Sequence, residues 1–330
     1  MAGSRALVTG ANGSMGGMVV RLLLEQGEDP IGLDVSGDFT FLPDIKGEFE
    51  FIRGDLLDLS LLMDVVKRTK VDRIIHTAAI LPDLARGNPS QALKVNIIGT
   101  DNIVQVVRAF DVPRLVFTST KGILADPTGE HAHPTYEPLN EDAPVIPPRN
   151  THTLYNDTKV FCEHYLHKCM DMWDLDIVML RFATIFGPGR IRHGNRQLVG
   201  KWIEEAYYGR PVRVAQGGEQ KDEMVYLKDV ARSCIIASHA ATPEHKTFHI
   251  SSGELMSYRQ VVDTINELIP TADVEIGPGL DPMQLGMVGY SRLDISRARD
   301  ELGYEPAYPL EMAIPDYIGL LDQLPPIEPY

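Results

Sequence analysis

The sequence predicts an α/β fold: a doubly wound parallel sheet followed by a smaller α/β lobe at the C-terminal end. Three observations carry that reading. The first half of the chain alternates short β-branched runs with helical patterns, the rhythm that builds a parallel sheet with helices on both faces. A glycine-rich turn, Thr9-Gly10-Ala11-Asn12-Gly13-Ser14-Met15-Gly16, stands between the first such run and the first helical stretch. Past Gly187 the regular alternation is lost, so residues 1–186 are read as the Rossmann-type domain and residues 187–330 as mainly the substrate-binding lobe, interleaved with the first.

Taken in order, the sheet strands are expected at 6–9, 30–34, 49–54, 73–77, 114–118 and 177–182. Met15, Val19, Leu22 and Leu23 recur at helical spacing and mark a first helix packed on the sheet, with Gly27 suited to its end. Residues 90–110 and 154–172 read as two long helices. Between them, residues 126–153 are rich in Pro and His and read as a long ordered loop. In the lobe, short strands are expected at 212–215, 247–251 and 274–276, and residues 325–330 form a loose tail.

With 330 residues, 44% of them hydrophobic, the chain can bury a sizeable core. The formal charge of -15, without a Lys/Arg cluster, excludes nucleic acid as the expected partner, because that binding rests on phosphate neutralisation. Cys162, Cys169 and Cys234 form a sparse set without CxxC spacing, which fits a reducing, cytoplasmic setting and offers no metal site. The chain enters strand-like sequence by Ala6 without a leader-like segment, and no apolar run is long enough to cross a bilayer, so no membrane partner is expected.

The glycine turn has a chemical reading. Gly10, Gly13 and Gly16 let backbone N–H groups approach a pyrophosphate at a helix N-terminus, where the dipole favours negative charge, and Asn12, Ser14 and Met15 come with the turn. Asp34, at the end of the second strand, suits the adenosine ribose and repels a 2′-phosphate, which favours NAD over NADP. Asp55 and Leu56 follow the third strand, and Thr77, Ala78 and Ala79 follow the fourth, where small residues let the chain run against the cofactor. Asp55 remains open between this role and capping a helix near Leu59.

Tyr155 and Lys159 stand four apart on a helix and share one face. A free tyrosine has a pKa of about 10, so it takes a proton at neutral pH only where a nearby positive charge stabilises its anion. Lys159 supplies that charge and donors for the nicotinamide ribose. Thr118, Ser119 and Thr120 end the fifth sheet strand on the ligand side of an open α/β fold; Thr120 is a candidate hydrogen-bond partner of the reacting oxygen, or else these hydroxyls only satisfy backbone.

These residues resemble the extended short-chain dehydrogenase/reductase family, also called the NAD-dependent epimerase/dehydratase family, over nearly the whole chain. TGANGSMG resembles its TGxxGxxG, Asn96-Ile97-Ile98-Gly99-Thr100 its NxxGT, YNDTK its YxxxK and LRFATIFGPG its LRxxxxxGPG; VFTSTKGILA resembles the segment of its fifth strand. Tyr226 to Ala231 resembles its HVDDVA and Glu301 to Pro306 its LGWxP. The resemblance implies Tyr155 as general base or acid, Lys159 as its electrostatic partner, Thr120 beside the substrate and Asn96 as a structural residue behind the site. It groups Asn96, Thr118, Tyr155, Lys159 and Phe182 with the cofactor-facing residues, and implies a homodimer packed through a four-helix bundle of 90–110 and 154–172.

The departures bear on substrate. Lys121 and Gly122 stand where sugar-nucleotide dehydratases of the family carry an Asp-Glu pair, so dehydratase chemistry lacks its acid. Thr184 and Asp222 align with the Asn and Arg that help sugar-nucleotide epimerases bind a diphosphate; an Asp facing a pyrophosphate costs about 1 kcal/mol even at solvent-like screening. The expected activity is therefore NAD-dependent hydride transfer at a secondary alcohol or ketone of a small polar, non-nucleotide substrate, a sugar or hydroxy acid. A sugar or nucleotide-sugar epimerase shares the same half-reaction and is the alternative; a non-catalytic dinucleotide sensor is a third, against which the intact Tyr155 and Lys159 count. Arg190 and Arg192, after Gly187, are candidates to grip an anionic substrate, with Asp222 reading a hydroxyl or amine, or form an ordinary solvated loop.

Overall fold

The computed structural model describes residues 4–145, 153–189, 198–284 and 291–324. Its strands are β1 (Ala6–Thr9), β2 (Ile31–Asp34), β3 (Glu50–Arg53), β4 (Arg73–His76), β5 (Arg114–Thr120), β6 (Ile177–Phe182), β7 (Thr184–Phe186), β8 (Val212–Val214), β9 (Lys221–Tyr226), β10 (Thr247–Ile250), β11 (Leu255–Ser257) and β12 (Val274–Ile276). The α-helices are α1 (Ser14–Glu25), α2 (Leu59–Thr69), α3 (Pro82–Gly87), α4 (Pro89–Leu93), α5 (Gly99–Ala109), α6 (Leu154–Trp173), α7 (Leu198–Tyr207), α8 (Leu227–His239), α9 (Tyr258–Leu268) and α10 (Leu310–Leu321).

Seven strands form one parallel sheet in the order β10-β6-β5-β4-β1-β2-β3. The chain runs outward from β1 in one direction through β2 and β3, then crosses back to β4 and runs the other way. The switch between β1 and β4 opens a crevice at their carboxyl ends, where ligands of such sheets bind. The inner strands are covered on both faces: every residue of β6 is buried, Arg181 included. One apolar layer packs α1 and α8 on the sheet through Val19, Leu23, Val230 and Cys234. The opposite layer packs α2, α5 and α6 through Leu62, Val66, Ile103, Val107 and Leu166.

A third core, with Trp202, Tyr258, Ile265 and Tyr317, belongs to the lobe. There β9 pairs with β7 in parallel and with β11 antiparallel, while β8 pairs with β12. Although they lie past residue 187, α8 and β10 belong to the large sheet's layers, β10 pairing with β6. The long helix expected at 90–110 is divided into α4, a π-helical turn at Lys94–Ile98, and α5. The reading did not anticipate β7, β9 or β11: two have only three residues, and β9 carries Lys221, Asp222 and Glu223, charges that disguise a strand. Within the 126–145 stretch, Leu139 exchanges backbone hydrogen bonds with Arg292 and Asp294 (2.8 Å each), and the Glu141 carbonyl accepts from Arg181 (2.8 Å).

Candidate active site

The turn after β1 is shaped by close approach. Gly10 has φ +72°, and a Cβ there would stand 2.9 Å from the backbone of Ala78. A Cβ on Gly16 would lie 2.1 Å from the Gly10 carbonyl oxygen, so α1 can start only where this residue has no side chain. Gly13 caps α1 without a side-chain hydrogen bond, and the first helical turn holds no acid. The helix therefore presents its N-terminal amides and positive dipole end to the crevice, ready for an anion.

Gly10, Asn12, Gly13, Ser14, Met15 and Gly16 line one side of a cleft of about 450 Å³. Asp34 lines its far end, its two carboxylate oxygens accepting from the Asn12 N–H (3.0 Å) and the Ser36 N–H (2.9 Å). Asp55, Leu56, Ala78 and Ala79 also line it. The cap of α2 is Asp58, which accepts from the Leu61 N–H at 3.0 Å, while Asp55 accepts from the Leu57 N–H at 3.0 Å beside the cleft. Sequence reading missed Val35, Phe41, Ile80, Leu84, Gln91 and Val95 on the cleft wall. The apolar ones lie outside the glycine motif, and only the fold shows that Val35 and Leu84 are exposed at 64% and 56% because they face this space.

The candidate reacting residues lie at the end of β5 and on the first turns of α6. Lys159, buried on α6, donates from Nζ to the Thr118 carbonyl at 2.7 Å, with its ammonium 4.4 Å from the Phe117 ring centroid and 5.7 Å from that of Tyr155. Burial pushes Lys159 down to about 8, opposed by Cys162 and Glu163. His76, between Thr9 Oγ1 (2.7 Å) and Thr100 Oγ1 (3.1 Å), is pushed down to about 3 by burial and by Lys159, so it stays neutral at pH 7. The Thr118 hydroxyl serves the His76 carbonyl (3.0 Å); that of Thr120 accepts from the Gly122 N–H (3.1 Å) and retains its own proton to donate.

Asn96, on the π-helical turn, accepts from the Ile80 N–H (2.7 Å) and donates to the Ile80 carbonyl (3.1 Å) and Thr158 Oγ1 (3.0 Å). Buried, it ties the cleft wall after β4 to the segment of α6 between Tyr155 and Lys159. Phe182, also buried, is the cross-strand partner of Thr120.

Of the candidate substrate residues, Asp222 has partners that the sequence did not show. Asp222 is fully buried, and its Oδ1 accepts from Lys121 Nζ at 2.7 Å; its Oδ2 accepts from Thr184 Oγ1 at 2.9 Å and from the Tyr258 hydroxyl at 3.2 Å. It is thus turned inward and neutralised rather than presented to a ligand, because a buried carboxylate is held only with a counter-charge and donors. The parts of Lys121 and Tyr258 in this were not read from sequence. Arg190 and Arg192 lie outside the described residues.

An uncapped helix N-terminus, two glycines at points of close approach and an oriented carboxylate at the far end fit NAD, and a protein so built belongs to the class that works on a dinucleotide. Comparison with known proteins agrees. Residues 6–251 match the sequence profile of the NAD dependent epimerase/dehydratase family, and the chain belongs to it. It is an NAD-dependent enzyme. A UDP-glucose 4-epimerase of Mycolicibacterium smegmatis is 30% identical over 315 residues, covering 94% of this chain and 96% of its own. A 2-alkyl-3-oxoalkanoate reductase of Stenotrophomonas maltophilia is 30% identical over 269 residues, 79% of this chain and 74% of its own. The UDP-glucose 4-epimerase of Thermus thermophilus, solved with NAD, superposes with a TM-score of 0.78 at 24% identity, covering 96% of this chain and 99% of its own. Among the described residues no helix is long and apolar enough to cross a membrane.

Proposed function

We propose that the enzyme interconverts a secondary alcohol and its ketone on a small polar, non-nucleotide substrate, a sugar or hydroxy acid, with Tyr155 as the general base or acid. The observation that carries this is the Lys159 ammonium, buried between the Thr118 carbonyl and the Tyr155 ring on the part of α6 that Asn96 ties to the Ile80 wall of the cleft. NAD, when bound by the glycine turn and Asp34, supplies the hydride acceptor. Tyr155, held as the phenolate by the Lys159 charge, takes the hydroxyl proton and becomes the phenol, while the Thr120 hydroxyl holds the reacting oxygen in line. Asn96 keeps α6 and the cleft wall at a constant distance. The alternative, a sugar or nucleotide-sugar epimerase, is favoured by the identity with the M. smegmatis enzyme. Incubation with NAD and sugars, polyols and hydroxy acids tests the choice: accumulation of NADH supports a dehydrogenase, whereas interconversion of UDP-glucose and UDP-galactose without net NADH supports the epimerase. A protein that does neither while binding NAD would be the sensor.

We read the enzyme as a cytoplasmic homodimer. The first part is supported by three free, buried thiols, Cys162, Cys169 and Cys234. The second is supported by large apolar side chains left exposed on neighbouring helices: Leu93 and Ile98 along α4 and the π turn, Phe161 and Met172 on α6. A second copy covers them by packing the 90–110 and 154–172 helical stretches in a four-helix bundle, and light scattering of Phe161→Glu, expected to be monomeric, tests it.

A further inference from the structure

The segment 35–44 leaves the end of β2 and is pinned on two sides. Phe39 packs edge-on against Phe51 of β3, with ring centroids 4.8 Å apart. Leu42 is buried against Gly17 of α1, where a Cβ would stand 3.0 Å from its Cδ2, and the Asp44 carboxylate takes both terminal nitrogens of Arg21, one of them at 2.8 Å. Val35, Ser36, Asp38 and Phe41 of this segment line the cofactor cleft, on the same wall as Asp34. Phe41 reaches further than the others. Its ring also lies against Gly189, where a Cβ would stand 2.9 Å from Cδ1 and Cε1. Gly189 follows β7, a strand of the lobe, so this ring joins the wall of the cofactor cleft to the lobe.

Phe41 and Ser14, the first residue of α1, border two spaces: the cleft of about 450 Å³ and a void of about 30 Å³ bounded also by Met18, Pro188 and Leu320. The void has room for about one water. Truncating the Phe41 ring would remove part of the wall between the two spaces and let water in beside the start of α1. Attraction between the helix N-terminus and a pyrophosphate weakens as water raises the local dielectric. We propose that Phe41 is the residue that retains the ADP half of NAD: its ring, backed by Gly189, keeps water from the pyrophosphate at the α1 N-terminus and closes the cleft beside Asp34. The inference rests on the cofactor site alone, whichever substrate the enzyme takes.

The test is the release of NADH, followed by its fluorescence during a chase with excess NAD, together with calorimetric titration of ADP-ribose, which lacks the nicotinamide. Phe41→Ala is expected to release NADH about tenfold faster and to bind ADP-ribose about tenfold more weakly. Gly189→Ala, whose Cβ would push the ring aside, is expected to speed NADH release in the wild-type background and to add little in the Phe41→Ala background. The backbone strain of an alanine at φ +82° is common to both backgrounds and cancels in that comparison. Unchanged NADH release by Phe41→Ala overturns the proposal. So does faster release with ADP-ribose binding intact, since the effect would then lie at the nicotinamide half, and so do additive effects of the two substitutions, since Gly189 would then not back the ring. If thermal melting shows that Phe41→Ala does not fold, Phe41→Leu takes its place, with the same directions expected and smaller changes. None of these readouts needs turnover, so failure of the catalytic reading and failure of this one remain distinguishable.

Discussion

At the cofactor end of the site, the groups that meet an anion and a ribose come from one turn and the end of the next strand: Gly10 to Gly16, and Asp34 held by the Asn12 N–H. At the substrate end, Asp222 is joined to Lys121 across 101 residues, to Thr184 across 38 and to Tyr258 across 36. The first is shaped by backbone clearances and leaves little room for substitution. The second is shaped by side-chain charges and hydroxyls that four separate segments bring together.

The most severe test falls where the two ends meet. Tyr155→Phe removes only the ionisable oxygen, and turnover should fall on the order of a hundred- to ten-thousandfold while NAD titrates as in the wild type. Retention of most activity would move the proton transfer elsewhere.

Lys159 joins the same two ends, and its burial has a pH signature. Its pKa in the folded protein is lowered from 10.5 to about 8. The cost of burying the charge is therefore fully present below about pH 8, where folded and unfolded chains both hold the proton. As pH rises from there toward 10.5, the unfolded chain keeps a proton that the folded one has released, so stability contributed by this group increases. Urea unfolding should show wild type gaining on Lys159→Met by on the order of 3 kcal/mol across that window. Parallel curves for the two proteins would mean that Lys159 is better solvated than its surroundings indicate.

Gly16→Ala sharpens the claim that backbone clearance governs the cofactor end. Its Cβ would overlap the Gly10 carbonyl, so the variant should be roughly 1–3 kcal/mol less stable and bind NAD poorly. Normal NAD affinity would show that the turn can yield. The smallest effect is expected at Asp34: Asp34→Ala should narrow the preference for NAD over NADP by about tenfold. Equal affinities already in the wild type would remove Asp34 as the discriminating residue.

The sequence by itself determined six strands of the large parallel sheet, β1 to β6, because short β-branched and apolar runs alternate there with helical patterns. It also carried the cofactor turn, since Gly10, Gly13 and Gly16 act through backbone conformation within a few residues of one another, and the spacing of Tyr155 and Lys159, since helix geometry alone sets one above the other. The π turn that positions Asn96, the short strands of the lobe, the return of α8 and β10 to the large sheet, and the meeting of Lys121 with Asp222 were decided only by tertiary structure. A charged residue reads as surface until its counter-charge is brought to it, and Lys121 receives Asp222 only because β9 of the lobe lies beside β7, at the carboxyl edge of a strand order that no single segment contains.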